Sequence, residues 1–214
     1  MKIIKLSIVL ILLLGCTLSE SVKIDSIIED TLLKVEKTEP LVNQDHKKQL
    51  FSYYLPQNIG VKKSNEISSV LNVDNYEVFM TLEVSDILNK EFRKVEENKE
   101  DFVFTKNFLI NNVEEKEKEG QLIIEKLAEY QFLLYVKIEE IIFLSALPKA
   151  AIATVFENML VVARSVEVDK KLVIAQFSNK EEINYQQQVI ELFSESVPTD
   201  GFLKDIYVNE KEDE

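Results

Sequence analysis

The sequence predicts an α+β fold: an antiparallel sheet of about five to six strands packed against helices. Three observations predict it. Segments that alternate apolar and polar residues at period two fill the middle of the chain, and segments with apolar residues at i, i+3, i+4 and i+7 stand before and after them. Glycine and proline are rare, four of each in 214 residues, and read as punctuation at Pro40, Pro56, Gly60, Gly120, Pro148, Pro198 and Gly201. A hydrophobic fraction of 46% at this length builds a real core within one domain.

The first helical pattern lies in "TLSESVKIDSIIEDTLLKVEKTEP", where Ile24, Ile27, Ile28, Leu32 and Val35 share a face and the helix ends before Pro40. Its apolar stripe is expected to pack on the domain, with a partner helix or a membrane surface as the alternative. "EISSVLNV", the turn pair Asp74-Asn75 and "YEVFMTLEV" read as a hairpin. In its second strand Tyr76, Val78, Met80, Leu82 and Val84 point one way, and Glu77, Thr81 and Glu83 the other. "DFVFTKNFLI" repeats the alternation with Phe102, Phe104, Phe108 and Ile110 before a charged tip, "EEKEKEG", reverses the chain.

"QLIIEKL", "YQFLLYVKI" and "EIIFLSAL" read as a three-strand meander whose middle strand is apolar on both faces, as befits a central position. The first and third of these also match a helix by pattern alone. From Pro148 the period changes: Ile152, Val155, Phe156, Met159, Leu160, Ala163 and Val166 predict a buried helix whose first turn the proline pre-sets. "VDKKLVIAQFS" reads as a shorter helix capped by Asp169, or as a strand at "LVIAQF". Ser178 and Glu181 have capping-box spacing ahead of a last helix that ends before Pro198.

The N-terminus, "MKIIKLSIVLILLLGC", has a positive lead at Lys2 and Lys5, an uncharged stretch from Leu6 to Gly15 and then the chain's one cysteine. That is a secretory signal pattern, since a spanning helix needs about 20 apolar residues. Leu13-Leu14-Gly15-Cys16 resembles the lipobox of bacterial lipoproteins. The resemblance covers the first 16 residues and implies cleavage between Gly15 and Cys16, a diacylglyceryl group on the Cys16 thiol and an acylated new amino terminus. Acyl chains contribute about 0.8 kcal/mol per buried methylene, so two or more hold a protein firmly. Thr17 is not the aspartate that, in lipoproteins of two-membrane bacteria, commonly marks retention at the inner membrane. The expected organisation is signal peptide 1–15, lipid-anchored lead and amphipathic helix 16–40, one α+β domain 41–205 and an acidic tail 206–214.

The net charge of −13 disfavours nucleic acid as a partner, and only Arg93 and Arg164 offer bidentate forks. His46, the one histidine, sits in the polar stretch "NQDHKKQ", read as a solvated loop. A metal site, or a catalytic triad through it, is not expected, and no glycine-rich phosphate loop or G-x-S-x-G elbow is present. No cofactor is expected. Carboxylates abound, but nothing in the sequence selects an acid–base pair. Tyr53 and Tyr54, beside Pro56 and Gly60, are the candidates for stacking on a ligand, against edge-strand packing as the plainer reading.

These readings lead to a lipid-anchored protein at the extracytoplasmic face of the cell membrane, a non-catalytic binding or envelope-accessory protein with a protein partner of the envelope. The alternative is a lipoprotein holding a small or lipidic molecule in an apolar cavity lined by Phe102, Phe104, Phe108, Phe132, Phe143 and Phe156. A carboxylate-based hydrolase ranks third.

Overall fold

Helix α1 (Ile24–Lys37) is followed by strands β1 (His46–Lys47), β2 (Phe51–Tyr53), β3 (Ile59–Ser64), β4 (Ser68–Val73) and β5 (Tyr76–Leu82), then by helix α2 (Val84–Asn89). Next come β6 (Phe102–Asn111), β7 (Glu117–Ala128), β8 (Gln131–Ile138) and β9 (Ile141–Leu147). A 3-10 turn (Lys149–Ala151), α3 (Ile152–Ser165), β10 (Glu167–Val168) and α4 (Lys170–Phe177) complete the order. This computed structural model describes residues 24–40, 45–95 and 102–178. The expected signal peptide 1–15 with Gly15, the expected lipidation site Cys16, the charged run 96–101, the helix expected over 182–196 and the expected acidic tail 206–214 lie outside the described residues.

The main sheet has seven antiparallel strands in the order β3-β4-β5-β9-β8-β7-β6, and β1, β2 and β10 form a second, three-stranded sheet. Seven strands replace the five to six expected because β3 was invisible: five of its six residues, Gly60 to Ser64, are exposed, so no apolar alternation marks it. The small sheet was equally hidden, since strands of two or three residues carry no period. His46 is consequently not in a solvated loop. It sits in β1, its ring stacked on Tyr53 with centroids 5.3 Å apart.

Local chemistry accounts for much of the rest. Asp74 and Asn75 both take positive φ, 49° and 70°, the two-residue turn that matches the twist of β4 and β5. The meander β7-β8-β9 forms as expected, with the last six residues of β8 buried on both faces. Strand β5 differs in that Val78 to Leu82 are all buried and the strand stops at Leu82, where α2 takes over at Val84. Pro148 leads through the 3-10 turn into α3, and the Asp169 carboxylate accepts from the Leu172 N–H at 3.0 Å to cap α4. Ser178 closes α4 at its C-terminal end, with its N–H on the Ile174 carbonyl. Gly60 and Gly120 are not boundaries but lie inside β3 and β7. The chain reverses instead at Asn112 to Lys116.

Register and alternation divide the sheet into two faces. One carries Phe108 of β6, Leu122 and Ile124 of β7, Leu134 and Val136 of β8 and Phe143 of β9. α1 and α3 cover it: Phe108 meets Phe156 of α3 edge-on at 6.1 Å, and Ile28, Leu32 and Val35 of α1 are buried. Gly120 opposes Phe108 across β6 and β7, and a Cβ there would come within 2.4 Å of the Phe108 ring. The glycine is required by that close approach.

The other face holds a polar row that runs straight across the strands: Asn107, Gln121, Lys137, Ile142, Thr81 and Ser68 are successive register partners. Gln121, Lys137, Thr81 and Ser68 are all buried. Each has its partner, as buried polar groups require. Ser68 and Thr81 share a hydroxyl hydrogen bond of 2.8 Å. Gln121 donates to the Val95 carbonyl and accepts from the Val95 N–H, both at 2.9 Å. Lys137 reaches Asp86 at 2.5 Å and the Arg93 carbonyl at 2.7 Å. The row therefore docks α2 and the strap after it onto the sheet.

Candidate functional site

Several cations on this acidic chain hold backbone carbonyls. Arg164, buried at the end of α3, donates to the carbonyls of Val35 (2.6 Å), Thr38 (2.8 Å) and Asn111 (2.7 Å), closing the C-terminus of α1 and gripping the end of β6. Arg93 lies 3.1 Å from buried Asp86 and also bonds Ser85. Both arginines are thus internal clamps. Lys118, its amine pulled down in pKa chiefly by burial, donates to the Val166 carbonyl at 2.9 Å.

Lys48 is the one whose chemistry warrants weighing. Its amine donates to the carbonyls of Asn65 (2.8 Å) and Ser68 (2.7 Å) and to Ser69 Oγ (2.7 Å), and lies over the Phe51 ring. No carboxylate is among these partners, and burial brings its pKa down from 10.5 to about 8. A serine beside a lysine of lowered pKa is the pairing used in Ser–Lys acyl transfer. Ser69, however, is fully buried and its hydroxyl also contacts Ser64 and Tyr53, so no substrate carbonyl reaches it.

The residues expected to bind a ligand are placed as follows. Tyr53 is 1% exposed, stacked between Phe51 and His46, and burial raises its phenol pKa against the lowering effect of the Ser69 bond. It has no free ring face. Tyr54 is half-buried, and its N–H donates to Ser165 Oγ at 2.9 Å. Of the phenylalanines named for a cavity, Phe143 and Phe156 are fully buried and Phe108 nearly so; they fill core. Among the described residues no group of three His, Cys, Asp or Glu side chains gathers as metal ligands, and no helix is long and apolar enough to cross a membrane.

Open space lies elsewhere. A groove of about 500 Å³ runs between α1 and the outer edge of β6, floored by Leu32, Leu33, Phe108 and Leu109. Because Lys106, Asn107, Phe108 and Leu109 are consecutive in a strand, their side chains point alternately to both faces, so the groove straddles the sheet edge. Lys106 pairs with Glu29, and Lys94 lies 3.7 Å from Glu119 along the rim, which also carries Glu36. Leu33 is 49% exposed and Leu109 51%; with Val103 they make half of the six large apolar side chains that the described residues expose. Sequence reasoning missed this grouping because Leu33 reads as an incidental residue on the polar side of α1 and Leu109 as one on the outer face of β6; only their packing brings them together.

A second cleft, of about 520 Å³, opens at one end of the sheet among Tyr76, Ala128, Glu129, Tyr130, Gln131, Ala146, Leu147 and Pro148. No protein-family model, no curated protein and no solved structure matches the chain.

Proposed function

We propose that this protein is a surface lipoprotein, held at the extracytoplasmic face of the cell membrane through lipid on Cys16, whose domain binds another envelope protein along the groove between α1 and β6 without catalysing a reaction. The observation that carries the binding role is that exposed Leu33 of α1 and exposed Leu109 of the edge strand β6 line one groove of an otherwise acidic molecule. A strand edge bordered by apolar side chains is the arrangement on which extended segments add by main-chain hydrogen bonds. The lipobox-like Leu13-Leu14-Gly15-Cys16 supports the anchor. Residues 16 to 23 reach at most about 28 Å, so α1 and its groove stay close to the bilayer and favour a membrane-proximal partner.

Two measurements test the reading. In a bacterial host given a palmitate analogue, the wild type labels and Cys16→Ala does not; equal labelling removes the lipoprotein assignment. A photocrosslinking amino acid in place of Leu109 yields a discrete adduct in intact cells that Leu33→Glu abolishes, whereas the same crosslinker in place of Leu88 yields none. An adduct indifferent to Leu33→Glu sinks the groove as the binding surface.

A further inference from the structure

The cleft at the sheet end differs in kind from the groove. Glu129 and Tyr130 form the two-residue turn between β7 and β8, closed by the pairing of Ala128 with Gln131, so Tyr130 stands on a short turn rather than a long loop. It is 76% exposed, the most exposed large apolar side chain among the described residues. The floor below is made by Ala128, Ala146, Leu147 and Pro148, and the polar atoms at the margin belong to Tyr76, Glu129 and Gln131. An apolar lining and an exposed aromatic ring suit a ligand with a flat C–H face, while a phenol, a carboxylate and an amide among the lining residues suit one with hydroxyls around its edge. A pyranose ring has both. The volume of about 520 Å³ falls within the roughly 300 to 1,000 Å³ of small-molecule sites. The carboxylate, on a chain of net charge −13, favours a neutral sugar over an anionic one. A proline-rich peptide would instead need a run of parallel aromatic ridges, and this cleft has one exposed ring and one half-buried one.

We infer that this cleft is a carbohydrate subsite that stacks one neutral pyranose unit of a glycan on Tyr130, with Glu129, Gln131 and Tyr76 bonding its hydroxyls. The site is separate from the groove and stands whether or not the groove binds protein.

Saturation-transfer NMR on the full-length protein, in a zwitterionic detergent without sugar headgroups, tests it with four neutral tetrasaccharides: β-1,4-linked glucose, β-1,4-linked N-acetylglucosamine, β-1,4-linked mannose and α-1,4-linked glucose. At least one receives saturation at its ring C–H protons; Tyr130→Ala weakens that binding about tenfold or more, and Tyr130→Phe, which keeps the stacking face, changes it less than about threefold. Tyr130 is exposed, so both variants keep the fold, as circular dichroism checks. Silence from all four sugars, transfer unchanged in Tyr130→Ala, or tighter binding of a proline-rich decapeptide overturns the assignment.

Discussion

The two edges of the seven-stranded sheet are built to opposite rules. Strand β3 is six residues long, carries Lys62 and Lys63, shifts register between Val61 and Lys63, and pairs Lys62 with Glu77 at 2.7 Å. Charge is one way proteins discourage a further strand from adding. Strand β6 is ten residues long, has one lysine, confines its own register shift to its first residues, between Phe102 and Phe104, and exposes Val103 and Leu109. The longer edge carries less charge than the shorter one, and that difference is what the proposed binding role rests on. Each edge is also stapled by a cation on backbone carbonyls. Arg164 holds Asn111 at the end of β6, and Lys48 holds Asn65 and Ser68 at the turn from β3 to β4.

That contrast can be broken hardest at Arg164. Arg164→Met removes the guanidinium from three carbonyls, of which that of Val35 keeps the Thr38 N–H, and should cost about 3 to 5 kcal/mol, read as a lowered urea midpoint, with α1 becoming the first site of limited proteolysis. If α1 stays as resistant as in the wild type, the guanidinium does not hold it. The two strand glycines sharpen the comparison. Gly120→Ala drives a methyl into the Phe108 ring beneath β6 and should destabilise by about 1 to 3 kcal/mol. Gly60→Ala meets nothing within 4 Å in β3 and should lie within about 0.5 kcal/mol of the wild type. Equal effects at the two sites would mean that Phe108 yields without cost.

The smallest effect separates the staples by pH. Arginine keeps its charge throughout, whereas the Lys48 amine has a folded pKa of about 8 against 10.5. Between those values the unfolded chain binds more protons than the folded one, so the Lys48 contribution to stability rises with pH across that window. The stability of the wild type relative to Lys48→Met should therefore increase from pH 7 to pH 10.5; a flat difference would show that burial does not depress this amine.

Much of the sheet was legible because β4 to β9 carry their own period or turn pair, as at Asp74-Asn75. What escaped was whatever depends on a distant partner. Thr81 reads as a solvent-facing residue of its strand, yet it is fully buried against Ser68. Gln121 and Lys137 carry no sequence sign of their burial, which follows from Val95 and Asp86 arriving over them. Tyr53 and Tyr54 were the visible aromatic candidates because they are adjacent and flanked by turn residues. Tyr130, in "LAEYQF", looked like part of a strand until the pairing of Ala128 with Gln131 made it a turn tip.

By itself the sequence indicated the mixed helix-and-antiparallel-sheet class, the central strand of the meander, the buried helix after Pro148 and the Asp169 cap, since each rests on residues a few positions apart whose side chains must share a face or satisfy a local N–H. Tertiary structure decided that seven strands join, which edge is left bare, and where the open surface lies. Those outcomes turn on contacts such as that between Arg164 and the Val35 carbonyl, 129 residues away. Register and burial across such distances are set by the competition of all packing partners at once, and no local pattern records who wins.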